Sequence, residues 1–397
     1  MSATWRYIDC GAVDAFENSA QLSVLIRSVA ESSRPTLMTS VWGATHLNVG
    51  WFDDVDATLD LERCRDLGVQ VVRRPVYGGG TAFYASGCAA MWTFLLPGET
   101  VARLDDELLR FQPMVLGALA SLGMSEVHFE GSSDLRWHGR KLGALSAQDV
   151  VICTSIGGFL NLRRPDLDLY LSVARVPDEK FKDKVVKDLR EYVASADEVR
   201  GAPLSYEVFR DALCEAVTGA GIALSEEPMT EGEQRGVGKI ATKVADDGYV
   251  RRVSSERFRA EAPPGTAVGF GNHKARKLCR AGLAVDRDGI VAAAMMAGDL
   301  HASPPDVMDR VARGLVGASV EDVIDLRKRI AEVFEGEDVR QADEAMGVTT
   351  DDLLAAVLKA AQEARLQPGA PVPGARGIAD GSGGARGIAD GPGDALA

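Results

Sequence analysis

Arg73-Arg74-Pro75-Val76-Tyr77-Gly78-Gly79-Gly80-Thr81-Ala82-Phe83-Tyr84 closes a short β-branched run, Val69–Arg73, with a glycine loop. Three consecutive glycines after a strand let the backbone approach a ligand closely and turn several N–H groups toward an anion. Arg73 and Arg74 stand where a guanidinium would clamp a carboxylate or phosphate. Taken alone, such a loop is equally well a structural turn, because glycine punctuates loops of every kind.

Working outward, Thr36–Trp42 and His46–Phe52 are apolar, β-rich and separated by Gly43, which predicts a pair of strands. Ala57–Leu67 carries helical spacing and ends at Gly68, a natural helix stop. Downstream, Leu104–Leu122 reads as a long amphipathic helix, Leu167–Val176 as a strand and Tyr206–Thr218 as a helix. The mixture predicts an α/β (α+β) fold with a mixed, partly antiparallel sheet over residues 1–255. A second, small α+β unit is expected over 262–345. In it, Gly282–Val285 and Ile290–Met296 flank a turn at Asp286–Gly289, and Ser303 with Pro304 opens a helix. Ser319, with Asp322 three residues on, opens another. A helix within 346–366 follows. The tail 367–397 repeats GARGIADG at Gly374–Gly381 and Gly384–Gly391 and is expected to be disordered.

Composition narrows the function. With 44 basic and 58 acidic residues among 397 the net charge is −14, and the basic stretch Arg175–Arg190 is interleaved with acids. Nucleic acid is therefore not an expected partner, because phosphate contacts need clustered cations. No run of about 18 apolar residues suggests a membrane span, and the N-terminal stretch lacks the pattern of a signal peptide. Six scattered cysteines form no CxxC pair, so they read as reduced thiols of a cytoplasmic enzyme.

Two further segments carry chemistry. Gly131-Ser132-Ser133-Asp134 precedes Gly139-Arg140-Lys141-Leu142-Gly143-Ala144-Leu145-Ser146-Ala147-Gln148. A strand-edge lysine beside small residues suits a cation that meets an α-phosphate and an acyl carbonyl. Asp134 could hold Mg²⁺ or orient a nucleotide. The plain alternative is an exposed turn with a surface lysine. Lys180-Phe181-Lys182-Asp183-Lys184 is by default surface charge and gains interest only beside the other two segments.

In this order the segments resemble the lipoate–protein ligases, within the wider biotin/lipoate ligase group. That family carries a double-Arg, triple-Gly loop, an Asn-Asp element, an Arg-Lys strand rich in Ser, Gly and Ala, and a later lysine. The counterparts here are RRPVYGGGTAFY, Ser133-Asp134, RKLGALSAQ and Lys184. The likeness runs from about Trp5 to Thr218. It continues through Ile290–Leu315, including the Gly298-Asp299 step, which looks like the family's accessory C-terminal domain. The resemblance implies an ATP-dependent ligase. It would form an acyl-adenylate from a small carboxylic acid such as lipoate, release pyrophosphate, and pass the acyl group to an amine, in the family the lysine of a lipoyl carrier domain. Lys141 would be the catalytic cation. Arg74, Tyr77, Gly78, Gly79, Gly80, Thr81, Tyr84, Ser133, Gly143, Ala144, Ser146 and Lys184 would bind substrate and adenylate, and Asp134 would serve the nucleotide and its Mg²⁺.

The pattern also departs from the family. Tyr77 replaces a serine before the glycines, Tyr84 replaces a histidine, the lysine strand is one residue longer, and Gly157-Gly158 stands where the family has His-Gly. These changes touch the acyl pocket, so an amide ligase of specialised metabolism, using another acid and a small amine, is the alternative. The cysteine-dependent octanoyltransferases of the same group keep a nucleophilic Cys just before the lysine strand; Gly-Ser-Ser-Asp occupies that place here. The histidines, His301 among them, form no constellation legible in the sequence.

Overall fold

The computed structural model describes residues 4–74, 80–98, 104–149, 152–175, 189–341 and 347–366. Its main strands are β1 (Trp5–Val13), β2 (Thr36–Trp42), β3 (His46–Val49), β4 (Gln70–Arg73), β5 (Ala82–Tyr84), β6 (Ala89–Pro97) and β7 (His128–Glu130). They continue with β8 (Asp134–Trp137), β9 (Arg140–Asp149), β10 (Cys153–Asn161), β11 (Leu224–Glu226), β12 (Ala267–Lys274), β13 (Leu278–Val285) and β14 (Val291–Gly298). Eight of them form one sheet in the order β11-β1-β2-β6-β10-β9-β8-β7. β1 runs parallel to β11 and β2, while the pairs from β2 to β7 are antiparallel, so the sheet is mixed as expected.

Strand alternation gives this sheet two apolar faces. Trp92, Phe94 and Leu145 point to one face, where Phe111 and Val115 of the helix Leu104–Ser121 and Phe209 and Leu213 of the helix Tyr206–Gly219 meet them. The rings of Phe94 and Phe111 stack there at 4.3 Å. On the opposite face Met38 and Leu95 pack with Leu25 and Val29 of the helix Ala15–Ser32. That helix is opened by Asp14, whose carboxylate accepts from the N–H groups of Phe16 and Glu17.

Several local expectations change. β2 and β3 are not paired with each other: β2 lies in the main sheet and β3 is the middle of a three-stranded sheet, β4-β3-β5. Gly43 turns the chain between sheets, and the rings of Trp42 and His46 meet across the turn at 4.1 Å. Leu167–Val173 is a helix, not a strand. Asp166 caps it by accepting from Leu169 N–H, and Leu167 and Val173 turn inward while Leu171 is exposed. Ala57–Leu67 divides into two short helices, Val55–Thr58 and Leu61–Asp66, each capped by its own aspartate.

In the C-terminal unit β12, β13 and β14 form an antiparallel sheet in which Gly282 faces Met295, as the expected hairpin requires. The helix Thr350–Arg365 lies across it in close backbone contact. A Cβ on Gly271 would stand 2.1 Å from the Ala356 carbonyl oxygen, so only glycine fits. The helix expected to open at Pro304 begins at Val307, with Asp306 as its cap. Asp322, expected in a first turn, is itself the cap of Val323–Phe334. Among the described residues no helix is long and apolar enough to cross a membrane.

The seam between the two units is polar and buried. Arg73 is 0% exposed, and its guanidinium donates to the carbonyls of Gly50, Trp51, Asp53, Val250 and Val253 at 2.6–3.2 Å. Every donor is committed to backbone, so Arg73 is not the anion clamp expected of it; it organises the chain around itself. Burial pulls its pKa down to about 10, which still leaves it charged at neutral pH. Next to it Arg280 of β13 pairs with buried Asp54 at 3.1 Å. Trp51 Nε1 donates to Pro305 O at 2.8 Å, and Phe52 enters the apolar core of the C-terminal unit. An ammonium has three donors where the guanidinium has five. Arg73→Lys should therefore lower the unfolding free energy by about 3 kcal/mol, read from urea denaturation, because carbonyls are left buried without donors.

Candidate active site

The register of the main sheet builds a pocket floor. Residues directly opposite one another on paired strands share a face. Ser40, Met91, Phe159, Ala144 and Asp134 form one such row across β2, β6, β10, β9 and β8. Met38, Thr93, Gly157 and Ser146 form the next. Both rows, Asp134 excepted, line a cavity of about 260 Å³. Asn18 and Leu22 of the helix Ala15–Ser32 cover one side, and Trp42, Asn48, Arg74 and Tyr84 cover another. The rings of Trp42 and Tyr84 lie 5.0 Å apart, and Phe159 meets Tyr84 edge-on at 5.6 Å.

Lys141 would fall on the wrong face if β9 alternated strictly. The ladder instead pairs Gly143 with Leu135 and Lys141 with Arg136, which leaves Leu142 as an unpaired bulge. Leu142 and Leu145 both enter the core, and Lys141 returns to the face that carries Asp134 and Ala144. There its Nζ donates to Asp134 Oδ1 at 2.7 Å. Arg136 donates to Asp134 Oδ2 at 2.9 Å and to Tyr192 Oη at 3.2 Å. Burial alone would raise the Asp134 pKa, but the charges of Lys141 and Arg136 hold it below the usual carboxylate range. Arg140, beside Lys141, forms a fork with Glu198 and reaches Val193 O at 2.6 Å.

The expected metal role of Asp134 finds no support in this arrangement. Both its oxygens are taken by cations, and the described residues contain no group of three His, Cys, Asp or Glu side chains able to hold a metal ion. No step below is routed through Mg²⁺.

Of the other expected site residues, Arg74, Tyr84, Ala144 and Ser146 come together around the cavity. Arg74 also donates to Gly80 O at 2.7 Å, and Thr81 donates to Asp53 Oδ2 at 2.9 Å. Ser133 contributes its carbonyl to Leu145 N–H at 2.7 Å and is not a lining residue. Gly143 is a packing position: a Cβ there would lie 2.1 Å from Phe159 O. Tyr77, Gly78, Gly79 and Lys184 lie outside the described residues.

The sequence reading missed most of the lining residues, Asn48, Trp42 and His301 among them. Asn48 sits on β3, with Leu47 and Val49 directed to the opposite core. Trp42 ends β2. His301 arrives from the C-terminal unit, just after the Gly298-Asp299 step that joins the units. At that step Gly298 N–H donates to Phe52 O at 2.9 Å, and Asp299 lies so close to Gly80 that a Cβ there would stand 3.2 Å from Asp299 Oδ1. Burial lowers the His301 pKa to about 4, helped by the positive charges of Lys277 and Arg74 and opposed by Asp299. The imidazole is therefore neutral at pH 7.

The thiols bear on mechanism. None of the six cysteines lines the cavity. Burial pushes Cys10 and Cys279 up to about 12 and Cys64 and Cys214 up to about 11, and it raises Cys88 as well. Activated cysteines are shifted the other way. Cys153 is buried among Ile8, Leu25 and Leu95.

Residues 14–218 match the Lipoyl protein ligase A/B catalytic domain. An octanoyltransferase LipM of Moorella thermoacetica is 23% identical over 280 residues, 63% of this chain and 98% of that protein. Among solved structures, the bi-partite lipoate protein ligase of Thermoplasma acidophilum, described with its E2 lipoyl domain, superposes with a TM-score of 0.54 at 18% identity, covering 64% of this chain and 98% of that one. Lipoate-protein ligase A bound with ATP gives a TM-score of 0.53 at 16% identity, covering 63% and 99%.

Two contrasts check this geometry. Gly143→Ala should disrupt the β9–β10 ladder and lower thermal stability strongly. Gly157→Ala, whose Cβ would make only ordinary contacts, the nearest with Thr93 Oγ1 at 3.4 Å, should melt as the parent does. For His301, an NMR titration should find a midpoint near 4, and Lys277→Gln should move it upward because a neighbouring positive charge has been removed.

Proposed function

The chain belongs to the lipoyl protein ligase A/B catalytic domain family, and from that premise we propose that it is an ATP-dependent ligase that adenylates a small carboxylic acid and passes the acyl group to an amine. A carboxylate oxygen attacks the α-phosphorus of ATP, the bond to the β-phosphate oxygen breaks, and pyrophosphate leaves. The amine then attacks the acyl carbon and loses a proton, and AMP departs with the oxygen the acid supplied. The proposed acceptor is the lysine of a lipoyl-type carrier domain.

One observation carries the reading. The Lys141–Asp134 pair continues the row of residues that floors the cavity, just beyond its lining, which supports a role for this ammonium beside the carboxylate of an acid bound there. The carboxylate of Asp134 orients the ammonium, and the ammonium stabilises negative charge as it develops in both steps. Arg74 adds a second positive charge at the cavity wall.

The octanoyltransferase relative favours a second reading, acyl transfer from a thioester without ATP. Against it stand the absence of a cysteine before the lysine strand and the raised pKa values of Cys10, Cys64, Cys88, Cys214 and Cys279.

ATP–pyrophosphate exchange on the purified protein, with lipoate, octanoate and a panel of other acids, separates the two. We expect acid-dependent exchange that falls about 10²–10³-fold in Lys141→Ala, the usual cost of removing a group that stabilises transition-state charge. Exchange that survives in Lys141→Ala removes that residue from the mechanism. Acyl transfer to a lipoyl domain from an octanoyl thioester in the absence of ATP would install the transferase reading instead.

A further inference from the structure

Three charged side chains meet on one face where β8 pairs with β9. Arg136 stands directly opposite Lys141, and Asp134 lies two residues back from Arg136 on the same strand. The Asp134 carboxylate accepts from both cations, from Lys141 on Oδ1 at 2.7 Å and from Arg136 on Oδ2 at 2.9 Å. Like charges directly opposite one another destabilise a sheet, so the carboxylate between them is what makes the pair tolerable. The two cations are held very differently. The Arg136 guanidinium also donates to Gly139 O at 2.8 Å and to Tyr192 Oη at 3.2 Å, lies 5.3 Å from the centre of the Tyr192 ring and pairs with Glu130. Among the described residues the Lys141 ammonium has only its bond to Asp134, although an ammonium carries three donors. Arg136 is tied down on several sides, and Lys141 hangs by one bond.

On the reading that Lys141 meets the negative charge of the reactants, we propose that Arg136 is a positioning residue that lets this ammonium change partners. When Lys141 Nζ leaves Asp134 Oδ1 for a carboxylate or phosphate oxygen, the Asp134 carboxylate keeps Arg136 on Oδ2. It is then not left as an unpaired, partly buried anion beside anionic reactants. Without Arg136 both carboxylate oxygens would turn on one ammonium, and freeing that ammonium would strand a charge whose side chain is only 24% exposed. Tyr192 and Gly139 hold the guanidinium still while the ammonium moves. Arg136 acts on the reaction through Asp134 and Lys141 and touches no reactant itself.

A double-mutant cycle read by pyrophosphate exchange tests this route. Arg136→Leu should lower kcat about tenfold, the cost of losing an ionic hydrogen bond, and change KM for the acid less than about twofold. In the Lys141→Ala background the same substitution should change the rate less than about twofold, because the group it acts through is gone. Arg136→Lys, which keeps a positive charge, should recover most of the loss, and Arg136→Gln serves as the neutral variant if Arg136→Leu does not fold. An unchanged kcat, an equal fall with and without Lys141, or an Arg136→Lys variant as slow as the neutral one overturns the proposal and leaves the ligase reading intact. If no acid supports exchange in the parent protein, the ligase reading fails, and acetic anhydride labelling of Lys141, read by peptide mass spectrometry against the exposed Lys239, still decides. Labelling slowed about threefold in Arg136→Leu upholds the proposal, since the carboxylate then grips the ammonium alone. Unchanged or faster labelling overturns it.

Discussion

The guanidinium of Arg73 is the constraint on which the arrangement of this protein turns. A charge with no exposure to solvent is tolerated only where its donors are met, and here five backbone carbonyls meet them. Those carbonyls come from the turn after β3 and from the segment 250–253, so one side chain at the end of β4 fixes both. The next turn residues then reach the C-terminal unit: Trp51 bonds Pro305, Phe52 enters the second core and accepts from Gly298, and Asp54 pairs with Arg280. With the units locked along this seam, Asp299 and His301 arrive beside Gly80 and Arg74.

The second constraint is register. A sheet presents every other residue to each face, so chemistry on one face depends on counting. The bulge at Leu142 changes the count by one and places Lys141 with Asp134, Ala144 and Ser146 instead of with the core leucines. The small side chains at Ala144, Ser146 and Gly157 leave the floor open, while Met38, Met91 and Phe159 give it an apolar base. Gly158 faces away, where the Trp92 indole occupies the place of a side chain; a Cβ would lie 2.4 Å from its ring.

Much of this was legible in the chain because the relevant residues are local. The lysine strand, its small neighbours and the Ser133-Asp134 element are contiguous, and the hairpin β13–β14 announces itself through its Asp-Gly turn. What was not legible depends on distant partners. Arg73 and Arg74 look equivalent in sequence, yet one is consumed by backbone and the other lines the cavity. His301 has no local sign of its role, because the cavity wall it completes belongs to residues far back in the chain. Leu167–Val173 was misread because Leu167, Leu169 and Leu171 mimic strand alternation, whereas capping by Asp166 and inward burial of Leu167 and Val173 select a helix. Asp134 was a candidate metal ligand by residue type and by resemblance; its two cation partners emerge only from strand pairing.

The measurement that bears most directly on the account follows one oxygen atom. Take the acid that supports the fastest exchange, label both carboxylate oxygens with ¹⁸O, and analyse the AMP released during amide formation by mass spectrometry. If Lys141 and its cavity perform adenylation, each AMP carries one ¹⁸O, because the oxygen that attacked phosphorus leaves with the nucleotide. AMP without label, or amide formed with no AMP at all, would contradict the account.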